Sequence, residues 1–354
     1  MSFQEQLAEG AHNLLINCAN IKAGEKLLII TEKADLGWYD KETSDFVASY
    51  AEKIGITPTR IEVGLPGNVK CPIMMKAIGE HECTIFFSRI GDQVRFSNPP
   101  PGTRSVMCYI RDLNMLASPF GRTNHLAYIE LKNAIDNILI NAGEIEITCP
   151  LGTNFVGGLS DETREEQGDV TVHRFPLGVP TPIEAKEFSG RIVMDRYLAP
   201  TGSRVYEPPF IKLDEPVFAE IEMGRIIDFT GPEGTVKQVK EHYANISTEF
   251  GIDPNVVHSW HAGIHPGCDY KVPESDDPDR WSNTVFCSPS FVHFHTCGDY
   301  APGEISCTIP DHSIQIDGKK FYDKGRMQLH SFIPTNDCLK KWPCLNELFG
   351  YSFG

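Results

Sequence analysis

The stretch KLLIITEKADLGWYDKETSDFVASYAEKIGITPTRIEVG, Lys26–Gly64, decides the fold class. It opens on a continuous apolar run over Lys26 to Thr31, the pattern of a strand buried on both faces. A helical segment from about Thr43 to Ile54 follows, and then a second strand over Thr59 to Val63. Downstream, Met74 to Gly79 reads as helix, CTIFFSR (Cys83 to Arg89) as a third strand, and Ser105 to Ile110 as a fourth. Upstream, Gln4 to Asn20 carries Leu7, Ala11, Leu14, Leu15 and Cys18 on one helical side. This strand–helix alternation predicts βα units on a mainly parallel sheet. No GxGxxG follows the first strand and no P-loop signature occurs, so dinucleotide and P-loop nucleotide sites are disfavoured.

Further along, Thr123 to Asn141 is predicted as a helix capped by Thr123 or Asn124, and EIEITCP (Glu144 to Pro150) alternates like a strand. Beyond Pro150 the texture becomes turn-rich. GRIVMDRYLAP, EPVFAEIEMGRIIDFTG and SIQIDG look like short antiparallel strands, and Thr235 to Phe250 is one clear helix with Val236, Val239, Tyr243 and Ile246 inward. The 354 residues are too many for one ordinary core. The expected organisation is an α/β domain with a mainly parallel sheet over 1–150, then an α+β domain with antiparallel strands over 151–354.

The net charge of −16, with no basic run, argues against a nucleic-acid partner. No stretch approaches a membrane span, and MSFQEQLAEGAHNLL does not look like a secretory signal, so a cytoplasmic protein is expected. Eleven cysteines, an odd number without a CxxC pair, suggest reduced thiols rather than a disulfide framework or a zinc ribbon.

Chemistry concentrates between Val256 and Asp317. Six of the twelve histidines fall there (His258, His261, His265, His293, His295, His312), with Cys268, Cys287, Cys297 and Cys307 among them. If SFVHFHTCG is a strand, its period of two puts His293 and His295 on one face, an arrangement suited to Zn, Fe, Ni or Cu. His258, His261 and His265 precede or enter a Gly/Pro-rich segment, HAGIHPG, which reads as a loop allowing close backbone approach. Asp299 or Glu304 can complete a two-histidine, one-carboxylate set, or can be a turn carboxylate on a solvated loop. Cys297, two residues from His295, is the candidate thiol nucleophile, although buried free cysteine is the commoner fate. Arg89, Arg95, Arg104 and Arg111 stand near strand ends where one can reach a substrate carboxylate, and Glu184 and Glu187 are the carboxylates expected near a domain cleft, with Glu184 the candidate for a site role.

The order FPLG, PTPIEAKEFSGRIVMD, EMGRIIDFTG, HAGIHPG, VHFHTCGD, PGE and IDGK resembles the thermophilic aminopeptidase family, and within it the branch of iron-dependent 2,5-dihydroxypyridine 5,6-dioxygenases. The resemblance covers most of the second domain and implies an aminopeptidase T-like fold and a homo-oligomer. The peptidase branch implies a dinuclear metal centre; the dioxygenase branch implies one Fe(II) held by a histidine of an HxG-type segment and a late His-x-Asp. HAGIHPG matches the first segment at His261, or at His258 if the match is shifted, and VHFHTCGD favours His293. The late motif is missing: its position reads Ser306-Cys307-Thr308, and Val179 stands where a peptidase glutamate is expected.

The resemblance therefore implies a remodelled site. One divalent metal per chain, Fe(II) before Zn or Mn, is expected on His261, His293 and His295, with His258 as the alternative ligand. His265, Asp299, Glu184 and Cys297 are the candidate catalytic groups. The expected activity is ring-cleaving non-haem iron dioxygenation of a small polar, hydroxylated aromatic substrate. A metal- or cysteine-dependent hydrolase of a small amide is the alternative, and a non-catalytic small-molecule-binding protein is the third.

Overall fold

The computed structural model describes residues 1–67, 72–94, 99–161, 164, 170–202, 205–299 and 303–350. Its first sheet has the order Thr59–Val63, Leu27–Glu32, Cys83–Phe87, Arg104–Cys108, His173–Phe175, every neighbouring pair being parallel. Leu27, Leu28, Ile29 and Ile30 are all completely buried, because helices cover both faces of this sheet. Those helices include Phe3–His12, Lys41–Lys53 and Pro72–Gly79. The first is fastened by a capping box, with Ser2 N–H donating to Glu5 (2.6 Å) and Glu5 N–H to Ser2 Oγ (3.3 Å). The fifth strand, His173–Phe175, is too short for a periodic signal and returns to this sheet after the chain has entered the next.

Two antiparallel sheets follow. An eight-stranded sheet runs Arg225–Thr230, Val217–Glu222, Ser189–Met194, Asn154–Gly157, Ile145–Thr148, Ser313–Ile316, Lys319–Asp323, Arg326–Met327. A six-stranded sheet runs Ile211–Lys212, Tyr197–Pro200, Ile305–Pro310, Phe291–Thr296, Val257–Ala262, Ile183–Glu184. The GRIVMDRYLAP segment is thus divided between them, with Arg196 at positive φ at the break. The helix His125–Ile140 is capped by Asn124, and Glu233–Phe250 ends on left-handed Gly251. Both pack against the antiparallel sheets, through Tyr128, Leu131 and Ile135 and through Val239, Tyr243 and Ile246.

The molecule has two hydrophobic cores, one around the parallel sheet and one between the antiparallel sheets. Phe155, Phe188, Trp260 and Phe294 join the latter, with ring centroids 5.1 to 6.0 Å apart. Trp260 and Phe294 commit one face of the six-stranded sheet to that core and leave the opposite face to the alternate residues. No helix of the described residues is long and apolar enough to cross a membrane.

Candidate functional site

That opposite face carries the histidines. His261 pairs in register with His293, His293 with Thr308, His295 with Ser306 and with Ser259, and Ser259 with Glu184. Cross-strand partners share a face, so Glu184, Ser259, His261, His293, His295, Ser306 and Thr308 form one polar patch. His261 and His293 have ring centroids 5.5 Å apart with planes 6° from parallel, and His261 and His295 are 5.0 Å apart at 39°. All three rings are buried, the most accessible at 8%. The strand carrying His258 and His261 replaces the loop expected there; the chain leaves regular structure only after Ala262. Gly263 then runs so close to Cys287 and Ser288 that a Cβ would strike their backbone.

A hydroxyl chain holds His293. Its Nδ1 lies 3.3 Å from Ser306 Oγ and 3.4 Å from Thr308 Oγ1, and Thr308 Oγ1 is 3.0 Å from Ser282 Oγ. Its Nε2 is buried with no hydrogen-bond partner among the described residues. Burial, helped by nearby His312, pushes the ring down to about 3, so it is neutral at physiological pH. Ser306 and Thr308 thus orient an imidazole.

The remaining candidates are placed elsewhere. His258 sits at a β-bulge, half-buried, its Nδ1 2.9 Å from Ser259 Oγ, and Asp299 is exposed. Burial lowers the His258 pKa and the Asp299 charge opposes that. His265 stacks on Tyr128 (4.1 Å, 7°) and takes the edge of Phe120 (4.8 Å), while Gly267 N–H donates to its Nδ1 at 3.2 Å. Cys297, at φ 60°, packs beneath the Glu233–Phe250 helix, and burial pushes its thiol up to about 12, the wrong direction for a nucleophile.

The helix Pro278–Val285, which sequence reasoning passed over within an acidic insert, forms the facing wall. Its signal was Asp277 followed by Pro278: the carboxylate caps the Arg280 N–H at 2.9 Å. Phe286, just past its end, lies 6.1 Å from His261, 6.2 Å from His293 and 5.1 Å from Tyr109. Asp279 is buried on the same helix and accepts from Asn283 Nδ2 at 2.9 Å. Desolvation raises its carboxyl to about 7, against the pull of Arg89 and Arg111.

The four arginines have different fates. Arg89 forks onto buried Glu32 (2.6 and 3.0 Å), and Arg104 bridges Glu25. Arg95 lies outside the described residues. Arg111 is 1% exposed and reaches Asn283 O (2.8 Å) and Thr284 Oγ1 (3.4 Å).

The fit of a divalent ion is mixed. Neutral imidazoles are good ligands for Fe(II) and Zn, whereas Ser306 and Thr308 are poor replacements for a histidine and a carboxylate. Among the described residues no group of three or more His, Cys, Asp or Glu side chains is positioned to hold an ion. As placed, the side chains do not make a ligand set.

No family model matches the sequence, and no curated protein does. Among solved structures the chain is similar to the 2,5-dihydroxypyridine dioxygenase of Pseudomonas putida, with TM-score 0.61 and 12% identity, covering 92% of this chain and 98% of that one. It is also similar to wild-type AmpT of Thermus thermophilus, with TM-score 0.55 and 14% identity, covering 92% of this chain and all of the other. At such identities the likeness is one of fold: a mainly parallel sheet with flanking helices joined to antiparallel sheets, in an aminopeptidase T-like arrangement.

Proposed function

We propose that the chain is an enzyme acting on a small polar, hydroxylated aromatic substrate, with His261, His293 and His295 as its reacting groups. The observation that carries this reading is the convergence of three buried imidazoles on one sheet face. Such a cluster is costly in a core and is a functional-site signature. Phe286 and Tyr109, packed edge to face, supply an aromatic corner suited to a ring. Neutral His293, oriented through Nδ1 by Ser306 and Thr308, accepts a hydrogen bond from a substrate hydroxyl, and Glu184, on the same face, carries the proton.

The ring-cleaving, metal-dependent reading is favoured by the three imidazoles of the patch and by the fold shared with a dioxygenase. It requires the three rings to turn toward a common point, because their present placement does not hold an ion. Elemental analysis after metal-supplemented expression separates the readings. About one Fe, Zn or Mn per chain in the wild type, lost in His293→Ala, supports metal dependence. No metal, with turnover of hydroxylated aromatics lost in His293→Ala, supports proton transfer alone. Unchanged turnover in that variant refutes the assignment of His293. Hydrolysis of small amides in the same screen would favour the hydrolase alternative, and binding without turnover the non-catalytic one. The homo-oligomer implied by the resemblance is checked by light scattering.

A further inference from the structure

Arg111 is a buried cation that forms no ion pair among the described residues. It is 99% buried, yet no carboxylate of the described residues forms an ion pair with it, and Nη1 has no hydrogen-bond partner. A guanidinium cannot shed its proton, and leaving one unpaired in a protein interior costs several kcal/mol, on the order of 3–5. Arg89, near the same aromatic residues, shows the ordinary solution: two bonds to Glu32. Around Arg111 there are instead aromatic faces, with Tyr39 at 4.6 Å, Trp38 at 5.2 Å and Tyr109 at 6.0 Å from the guanidinium carbon. Asp92 is already engaged by the Tyr109 hydroxyl at 3.0 Å. Asp92 and Asp279 act on Arg111 only through space.

We propose that Arg111 Nη1 anchors an anionic subsite for the carboxylate of the aromatic substrate, whose ring lies along Tyr109 and Phe286 toward His293. The proposal rests on the reading of the histidine patch as the reacting end and names the chemical class of its substrate. An unbroken line of contacts supports it: guanidinium to Tyr109, Tyr109 to Phe286 at 5.1 Å, and Phe286 to His293 at 6.2 Å. A cleft of about 280 Å³ lies beside this cluster at the carboxyl ends of the parallel strands; Tyr39, the ring against Arg111, lines it with Glu32, Asp40, Lys41, Arg60 and Glu62, while Arg111 itself does not. Ligands of open α/β sheets enter at that end. A planar carboxylate meets the guanidinium fork in two parallel hydrogen bonds, which an amide cannot reproduce.

The test is direct binding to the full chain at constant ionic strength, comparing 4-hydroxybenzoate with 4-hydroxybenzamide by calorimetry and thermal shift. Wild type is expected to prefer the carboxylate by about tenfold or more, the margin of a desolvated charge pair. Arg111→Met removes that preference. Arg111→Lys, which keeps the charge but not the fork, lowers it by about tenfold and serves if the Met variant does not fold. Equal binding of the two probes by wild type overturns the proposal, as does a preference that neither substitution diminishes. Because this measurement reads binding alone, its failure leaves the histidine chemistry standing. Conversely, His293→Ala that is inactive in turnover yet retains the carboxylate preference separates the two ends of the site.

Discussion

Asp279→Asn is the most informative single change for the energetics of the site. Asp279 is 9% exposed, and its carboxyl is raised from 3.8 to about 7 by desolvation. The native protein therefore binds a proton there that the unfolded chain releases, across a window of about three pH units. By linkage, stability falls as pH rises from about 4 to about 7, and the penalty is fully present above that range. At about 1.4 kcal/mol per pH unit, the single group costs about 4 kcal/mol at its limit. The buried histidines work in the opposite sense: His293, His265 and His312 are pushed down to about 3, so each loses stability as pH falls from its ordinary value toward about 3. The Asp279 contribution is accordingly read as a difference between variant and wild type. An asparagine oxygen can accept the same 2.9 Å bond from Asn283 Nδ2, so the geometry is kept while the titration is removed. Urea unfolding at about pH 4.5 and about pH 7.5 is expected to show the variant gaining on wild type by a few kcal/mol, about 4 at most, between the two conditions. A stability difference constant to about 0.5 kcal/mol would refute the reasoning and mean that water or Arg89 and Arg111 already stabilise the ionised form.

Three further substitutions separate structure from chemistry. Glu32→Gln strands the buried Arg89 guanidinium and is expected to cost about 3–5 kcal/mol in chemical denaturation, with no change if Arg89 is solvated instead. His265→Ala removes a ring stacked on Tyr128 and edged by Phe120; it should cost about 2–4 kcal/mol while leaving turnover per folded molecule unchanged. Turnover that falls with His265 would place that ring in the chemistry. Cys297 should resist a thiol-specific disulfide reagent in the native protein and react on unfolding, as expected for a thiol raised to about 12 and completely buried. Rapid native labelling would reopen the cysteine mechanism.

Much of the architecture was legible from local patterns, because burial on two faces leaves continuous apolar runs and burial on one face leaves alternation. Leu27–Glu32 follows from the first rule; Thr59–Val63 is a largely exposed edge strand, and Phe291–Thr296 shows the alternation, with His293 and His295 on one side, although both of its faces are buried. Short strands such as His173–Phe175 and Ile183–Glu184 offered no period to detect. Gly263 and Pro266 suggested a loop around all three of the earlier histidines, yet pairing with Phe291–Thr296 draws His258 and His261 into a strand. Tertiary pairing outweighed local turn chemistry there.

The amino-acid sequence by itself determined the order of the elements, the class of each domain and the concentration of imidazoles in one region, since these depend on neighbours a few residues apart. Only the tertiary structure decided which histidines meet. His261 joins His293 and His295 through strand register, while His265, four residues later, leaves the sheet to stack on Tyr128. It likewise brought Arg111 against the helix that carries Asp279, and showed that Arg89 has a counter-ion while Arg111 forms no ion pair among the described residues. Pairing and desolvation are properties of the space around a side chain, and that space is built by residues far away in sequence.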